Sequence, residues 1–236
     1  MSNSDKKIVG IIGGMGPAAT ALLFQKLIDH TEAKCDAEHI HILIDNNTKI
    51  PDRTTAILNG DDTPARHIIK SGKNLQQCGA ELLVIPCNTS HYFYETIQKE
   101  VSVPVLNMIE ETAKVCLQNG YKKVGVLATS GTLKTNIYAE ELKKMGIEAV
   151  YPDENGQRKV MEVIYDQVKA GGKINVQILD QTLKKMVASG AQAFILGCTE
   201  LPFAIKNGDF GYHFLDSLDI LARCTVERAG YHLKSK

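Results

Sequence analysis

The sequence predicts an α/β protein of two pseudo-symmetric lobes, each a short, mainly parallel sheet flanked by helices, with the functional site in the cleft between them. Three observations lead there. The stretch Gly79-Ala80-Glu81-Leu82-Leu83-Val84-Ile85-Pro86-Cys87-Asn88-Thr89 returns in outline as Gly190-Ala191-Gln192-Ala193-Phe194-Ile195-Leu196-Gly197-Cys198-Thr199-Glu200. Val9-Gly10-Ile11-Ile12-Gly13-Gly14-Met15-Gly16 is echoed by Val124-Gly125-Val126-Leu127-Ala128-Thr129-Ser130-Gly131, and Val105-Leu106-Asn107-Met108-Ile109 more faintly by Phe214-Leu215-Asp216-Ser217-Leu218. All three echoes recur at a nearly constant spacing of roughly 110 residues, a normal size for a compact lobe. Finally, strand-like apolar runs alternate with helix-period segments, which implies parallel sheets with right-handed crossovers.

Each element has its own warrant. Residues 8–13 are an apolar strand, and Gly13-Gly14-Met15-Gly16 turns into a helix with Pro17 in its first turn, running to about residue 33. Strand 39–45 follows, then a polar connection, 46–62, that carries Ile50-Pro51-Asp52-Arg53-Thr54. A connection this long inside a compact domain is more often functional than not. Thr63 caps a helix whose apolar face is Ile68, Ile69, Gly72 and Leu75, and Gly79 closes it before the first cysteine strand. A helix over 90–100, a strand over 103–107 and a helix marked by Ile109, Ala113, Cys116 and Leu117 complete the first half. The second half repeats the order: strand 124–128, helix 131–145, strand 148–151, helices 155–169 and 175–189, the second cysteine strand, a short helix, strand 213–216 and helix 217–232.

The totals exclude several classes. Lys+Arg and Asp+Glu both number 27, so no basic surplus favours nucleic acid or an anionic membrane. Small molecules are the expected partners. The opening residues carry no signal-like apolar region and no apolar run is long enough to span a bilayer, so a cytoplasmic protein is expected. The six cysteines include no C-x-x-C pair, which disfavours zinc ribbons and thioredoxin-type redox chemistry. Free thiols are the expectation in a reducing compartment.

Cys87 and Cys198 stand where buried parallel strands end, and ligands of open α/β sheets bind at that edge. Thiols at matching places in two related lobes can face each other across a cleft. Removing a proton from one face of a carbon and returning it to the other needs that arrangement, with one sulfur as thiolate and the other as thiol. A helix start lowers a thiol pKa, and helices are expected just after both cysteines. Asn88, Thr89, Ser90 and Thr199, with nearby backbone amides, can hold a carboxylate. His91, four residues past Cys87, could tune a thiol or be an ordinary first-turn residue. Arg53 and Lys169 could be ligands or solvated charges. Cys35, Cys78, Cys116 and Cys224 read as core or near-core thiols. Gly14-Met15-Gly16-Pro17-Ala18-Ala19 also fits the dinucleotide pattern G-x-G-x-x-A, with Asp45 as a ribose acid, so a nucleotide-binding module is a competing reading.

Taken together, Gly13-Gly14-Met15-Gly16-Pro17, Pro51-Asp52-Arg53-Thr54, Pro86-Cys87-Asn88-Thr89, Ile109-Glu110-Glu111-Thr112 and Gly197-Cys198-Thr199-Glu200 resemble the aspartate/glutamate racemase family, in its aspartate racemase branch. The resemblance spans nearly the whole chain. It implies racemisation of a small dicarboxylic amino acid, aspartate and possibly glutamate, with no cofactor, by a homodimer. Cys87 and Cys198 would be the acid/base pair. Asn88, Thr89, Ser90 and Thr199 would bind the α-carboxylate and amino group, and Arg53 and Lys169 the distal carboxylate. Met15 would line the substrate where the glutamate racemase branch carries an Asp-Ser pair, so glutamate as sole substrate is disfavoured. The family's exchange of final strands implies lobes of 1–104 plus 212–236 and of 105–211. A maleate isomerase-like enzyme of the same fold is the alternative within the family's chemistry.

Overall fold

The computed structural model describes residues 6–235. By its internal contacts the chain divides into two units, 1–108 with 218–236 and 109–217. Among the described residues no helix is long and apolar enough to cross a membrane.

The first unit is built on the parallel strands β1 (Val9–Gly13), β2 (Ile42–Asn46) and β3 (Leu82–Val84), in the order β2-β1-β3. Val105 adds a parallel bridge to Leu83, on the far side of β3. The expected strand 103–107 shrinks to this bridge, and Pro104, which has no N–H, contributes only its carbonyl, to Leu83 N. All of β1 is buried, and its side chains alternate between two apolar layers. Ile12 packs with Ile68, Leu75, Leu83 and Ile97, beneath helix Thr63–Gln77. Val9 and Ile11 pack with Leu23, Leu27, Leu218, Leu221 and Val226, from helices Pro17–His30 and Ser217–Arg228.

The second unit repeats that plan with β4 (Lys123–Ala128), β5 (Glu148–Val150), β6 (Phe194–Gly197) and β7 (Phe214–Asp216), all parallel, in the order β5-β4-β6-β7. One face buries Leu127, Val160, Ile164, Leu183, Met186 and Leu196 in a single cluster. The expected exchange of final strands does not occur: Val105 stays on the first sheet and β7 pairs with β6 on the second. What changes unit is the helix that follows each of them, because the contact boundaries fall after Met108 and after Ser217.

Local breaks modify several expected helices. The helix after β4 divides into Ser130–Lys134 and Ile137–Lys144 at Asn136, which sits in the left-handed region. The helix over 155–169 is regular only over Glu154–Glu162 and then widens to an i→i+5 pattern over Val163–Lys169. The polar connection after β2 contains a helix, Arg53–Asn59, capped by the Asp52 carboxylate on Thr55 N at 2.8 Å. Cys116 is buried as expected, whereas Cys35 and Cys78 are exposed: Cys35 precedes the short turn Asp36–Glu38 and Cys78 caps the end of helix Thr63–Gln77.

The central strands β1 and β4 each carry a glycine opposite a large residue of the cysteine strand. Gly10 pairs with Leu83 and Gly125 with Phe194. A Cβ at Gly10 would lie 2.7 Å from Leu83 Cδ2, and one at Gly125 2.7 Å from Phe194 Cε1 and 2.9 Å from Met186 Cε. Gly125→Ala should therefore cost about 1–3 kcal/mol by overpacking, seen as a lower denaturation midpoint with an unchanged m-value. An unaltered midpoint would mean that the Phe194 ring is free to yield.

Candidate active site

In a parallel sheet all strands end on the same edge, so loops distant in sequence converge there. In the first unit these are the turn after β1 with Met15, the segment after β2 with Arg53, and the segment after β3 with Cys87. Cys87 is buried, as are Asn88, Thr89, Ser90 and His91. Met15 joins the three loops: its carbonyl accepts from Arg53 Nη2 at 3.0 Å, and its sulfur lies 3.4 Å from the Ser90 hydroxyl. Arg53 is 8% exposed and is not a loop residue; it opens the helix Arg53–Asn59 and also donates through Nη1 to the carbonyls of Pro51 at 3.0 Å and Ile50 at 3.4 Å. Its cation is thus held by the carbonyls that shape this edge.

The glycine-rich turn is filled by protein. Gly14 has φ of +91°, and a Cβ there would strike the Asn47 backbone; its N–H donates to Thr20 Oγ1 at 2.9 Å, and that hydroxyl donates to Gly16 O at 3.0 Å. Asn47 and Thr20 occupy the close approaches of Gly14 and Gly13, so the protein's own packing accounts for both glycines.

In the second unit Cys198 follows β6 directly and is also buried. Its sulfur donates to Glu200 Oε2 at 2.9 Å, and the other oxygen of that carboxylate accepts from Lys169 Nζ at 2.7 Å. The Thr199 hydroxyl stands 3.4 Å from Glu200 Oε2. The widened turn before Lys169, closed by Ala170 N on Tyr165 O at 2.9 Å, ends where this lysine meets Glu200. Such i→i+5 stretches are frequent at functional sites. Glu200 is the residue that sequence reasoning left without a role, although its motif was read. The available signal was an acid two residues past a strand-end cysteine with a lysine at the end of a preceding helix.

This geometry corrects one expectation. Only a four-residue helix, Leu201–Ala204, follows Cys198, and the thiol is not lowered by it. Burial pushes the Cys198 thiol well above its ordinary range, the Glu200 charge and hydrogen bond add to this, and Lys169 and the Glu200 backbone act the other way. Cys198 therefore rests as a thiol with its proton directed at a carboxylate. Cys87 is likewise followed by a 3-10 turn, Thr89–Phe93, instead of a regular helix start.

An open depression of about 560 Å³ in the second unit is lined by Ser130, Gln157, Met161, Tyr165 and three carboxylates, Glu154, Glu162 and Asp166, against one arginine, Arg158. Its acidic lining disfavours a dicarboxylate. Among the described residues no three His, Cys, Asp or Glu side chains are grouped to hold a metal ion.

A model of the Asp/Glu/hydantoin racemase family matches residues 12–225. A broad-specificity amino-acid racemase, RacX of Bacillus subtilis (strain 168), is 31% identical over 223 residues, covering 93% of this chain and 96% of the relative. The structure of Picrophilus torridus aspartate racemase is similar with a TM-score of 0.82 and 33% identity, covering 97% of this chain and 96% of that one. An aspartate racemase homologue from Pyrococcus horikoshii OT3 follows with a TM-score of 0.78 and 30% identity over 95% of this chain and 99% of that one.

Replacing Glu200 by Gln removes the charge that opposes ionisation of Cys198. Peptide-resolved alkylation with iodoacetamide at pH 7 should then be faster at Cys198 in Glu200→Gln than in wild type, about threefold for each unit by which the thiol pKa falls, because lower nucleophilicity offsets part of the gain in thiolate. An unchanged rate would show that the carboxylate does not control this sulfur.

Proposed function

Since the chain belongs to the Asp/Glu/hydantoin racemase family and is therefore a racemase, we propose that it interconverts the enantiomers of aspartate by two-base proton transfer between Cys87 and Cys198, without pyridoxal phosphate. The observation that carries this reading is positional. Each cysteine lies just past a strand that pairs with an inner strand of its own sheet, Cys87 three residues beyond β3 on β1 and Cys198 directly after β6 on β4, and each is 6% exposed. The similarity to an aspartate racemase at 33% identity and to an aspartate racemase homologue at 30% supports aspartate as the first substrate, and the broad-specificity relative supports testing further amino acids.

In the proposed reaction the Cys87 sulfur removes the Cα proton, and the Cys198 thiol gives its proton to the opposite face of the resulting carbanion. The enzyme is left with a Cys87 thiol and a Cys198 thiolate, the pair that runs the reverse direction. A resting Cys198 thiol, hydrogen-bonded to Glu200, is the donor that this scheme requires. Charge developing on the α-carboxylate as an enediolate needs fixed donors, a role we give to Asn88, Thr89, Ser90 and Thr199. Arg53 and Lys169 supply cations for the distal carboxylate. Lys169 then serves two anions, the substrate and Glu200.

The test is proton NMR of the reduced protein in D2O with L-aspartate, D-aspartate, L-glutamate and maleate in separate samples, followed by chiral analysis. Loss of the aspartate Cα proton together with the opposite enantiomer is expected, and conversion of maleate alone would transfer the assignment to an isomerase of double bonds. Cys87→Ser and Cys198→Ser should each abolish racemisation, and near-wild-type turnover in either would sink the two-base scheme. Arg53→Ala should raise KM for aspartate by the loss of a charge-assisted contact, about 1.5–3 kcal/mol or roughly 10- to 150-fold; an unchanged KM would confine Arg53 to holding Met15.

A further inference from the structure

His91 makes two contacts that the reaction scheme leaves unused. It lies four residues past Cys87, within the turn Thr89–Phe93, is 5% exposed, and stacks at 6.3 Å on the Tyr94 ring. Its Nδ1 is 2.9 Å from the Cys87 carbonyl and its Nε2 is 3.1 Å from the Met108 backbone nitrogen. A backbone amide can only donate, so Nε2 carries no proton and accepts from Met108. The ring proton must then be on Nδ1, which donates to Cys87 O. A second ring proton would set one N–H against another, so only the neutral Nδ1–H tautomer satisfies both contacts. Burial, which disfavours the imidazolium, agrees with that form.

We propose that His91 is a positioning residue for the Cys87 thiol: its Nδ1–H clamps the Cys87 carbonyl, and the Met108 amide, by occupying Nε2, fixes the tautomer that can donate there. The proposal rests on Cys87 being one of the two proton-transfer groups. The Cys87 carbonyl is held by His91 and the Cys87 N–H by Ile85 O at 2.8 Å, so the peptide units on both sides of its Cα are fixed, and a displacement of about 1 Å at a reacting atom can cost roughly 100-fold in rate. The device serves one thiol, because the residue four past Cys198 is Pro202, which offers no side-chain donor.

The two contacts can be separated in the full-length protein. His91→Asn places an amide N–H near the position of Nδ1, and His91→Gln places an amide oxygen near that of Nε2. The expected result is that His91→Asn keeps kcat within about fivefold of wild type, whereas His91→Gln lowers it roughly 10- to 100-fold with KM within about threefold. Peptide-resolved alkylation should change its pH profile at Cys87 in His91→Gln and not at Cys198. Equal losses in both variants, a change in KM alone, or wild-type kcat in both would overturn the proposal. So would 15N NMR of the wild-type protein showing the His91 proton on Nε2, a readout that needs no variant to fold. If the alkylation profile of Cys87 moves in His91→Gln but Cys87→Ser still turns over, the clamp stands as geometry and the acid/base role of Cys87 is what fails.

Discussion

The depth at which each cysteine strand sits against its central strand is set by one steric fit, a large side chain lodged over a glycine. Leu83 lies over Gly10 in the first sheet and Phe194 over Gly125 in the second. Both large residues stand four positions before a cysteine. A slip of one residue in a strand turns every side chain to the other face, so this fit fixes which way the chain leaves the sheet and where Cys87 and Cys198 emerge. It also explains why the Val-Gly pair and the Cys-containing segment are the parts of the duplication that remain legible. The two segments are one contact seen from its two sides.

The scaffold is repeated, but the chemistry around the thiols is not. Two residues past the cysteine stands Thr89 in one unit and Glu200 in the other, and four residues past it stand His91 and Pro202. Glu200 holds Cys198 as a buried thiol and is itself held by Lys169. A buried carboxylate without a cation would be expensive, and one ion pair of good geometry offsets part of that cost. On the proposed reading this asymmetry has a purpose: a two-base racemase must rest with one acid and one base, and identical surroundings would favour the same protonation state in both halves.

Much of the fold was legible because periodicity reports burial, and both strands and crossover helices are buried on predictable faces. β1, β3, β4 and β6 fell where their apolar runs placed them. The failures have physical reasons. Asn136 breaks a helix by adopting a left-handed conformation that its sequence neighbours do not announce. The widened turn over Val163–Lys169 keeps an apolar face, so its pattern reads as an ordinary helix. The strand exchange was inferred from family likeness alone, and no periodicity tests which sheet a terminal strand joins. Within the candidate site the cysteines were legible from repetition and His91 stood out as either a thiol-tuning or an ordinary first-turn residue, whereas Glu200 had no assigned role. The meaning of Glu200 and His91 lies in a sulfur, an ammonium group and two backbone groups brought near by folding, and 17 residues separate His91 from Met108.

The same pattern of ties recurs where the chain passes between units. The first passage follows Met108, whose N–H is held by His91, and the second follows Ser217, whose hydroxyl donates to Leu196 O at 2.8 Å. Leu196 lies on β6, two residues before Cys198, as His91 holds the carbonyl of Cys87 itself. Each passage is therefore fastened to the strand end that carries the cysteine of its own unit. A chain that crossed elsewhere could shift at the crossing without moving a thiol. In this one, a shift at either crossing must break a buried hydrogen bond beside a cysteine, at a cost of about 1–3 kcal/mol for the group left unsatisfied. The thiols are held to the covalent path of the chain as well as to their sheets.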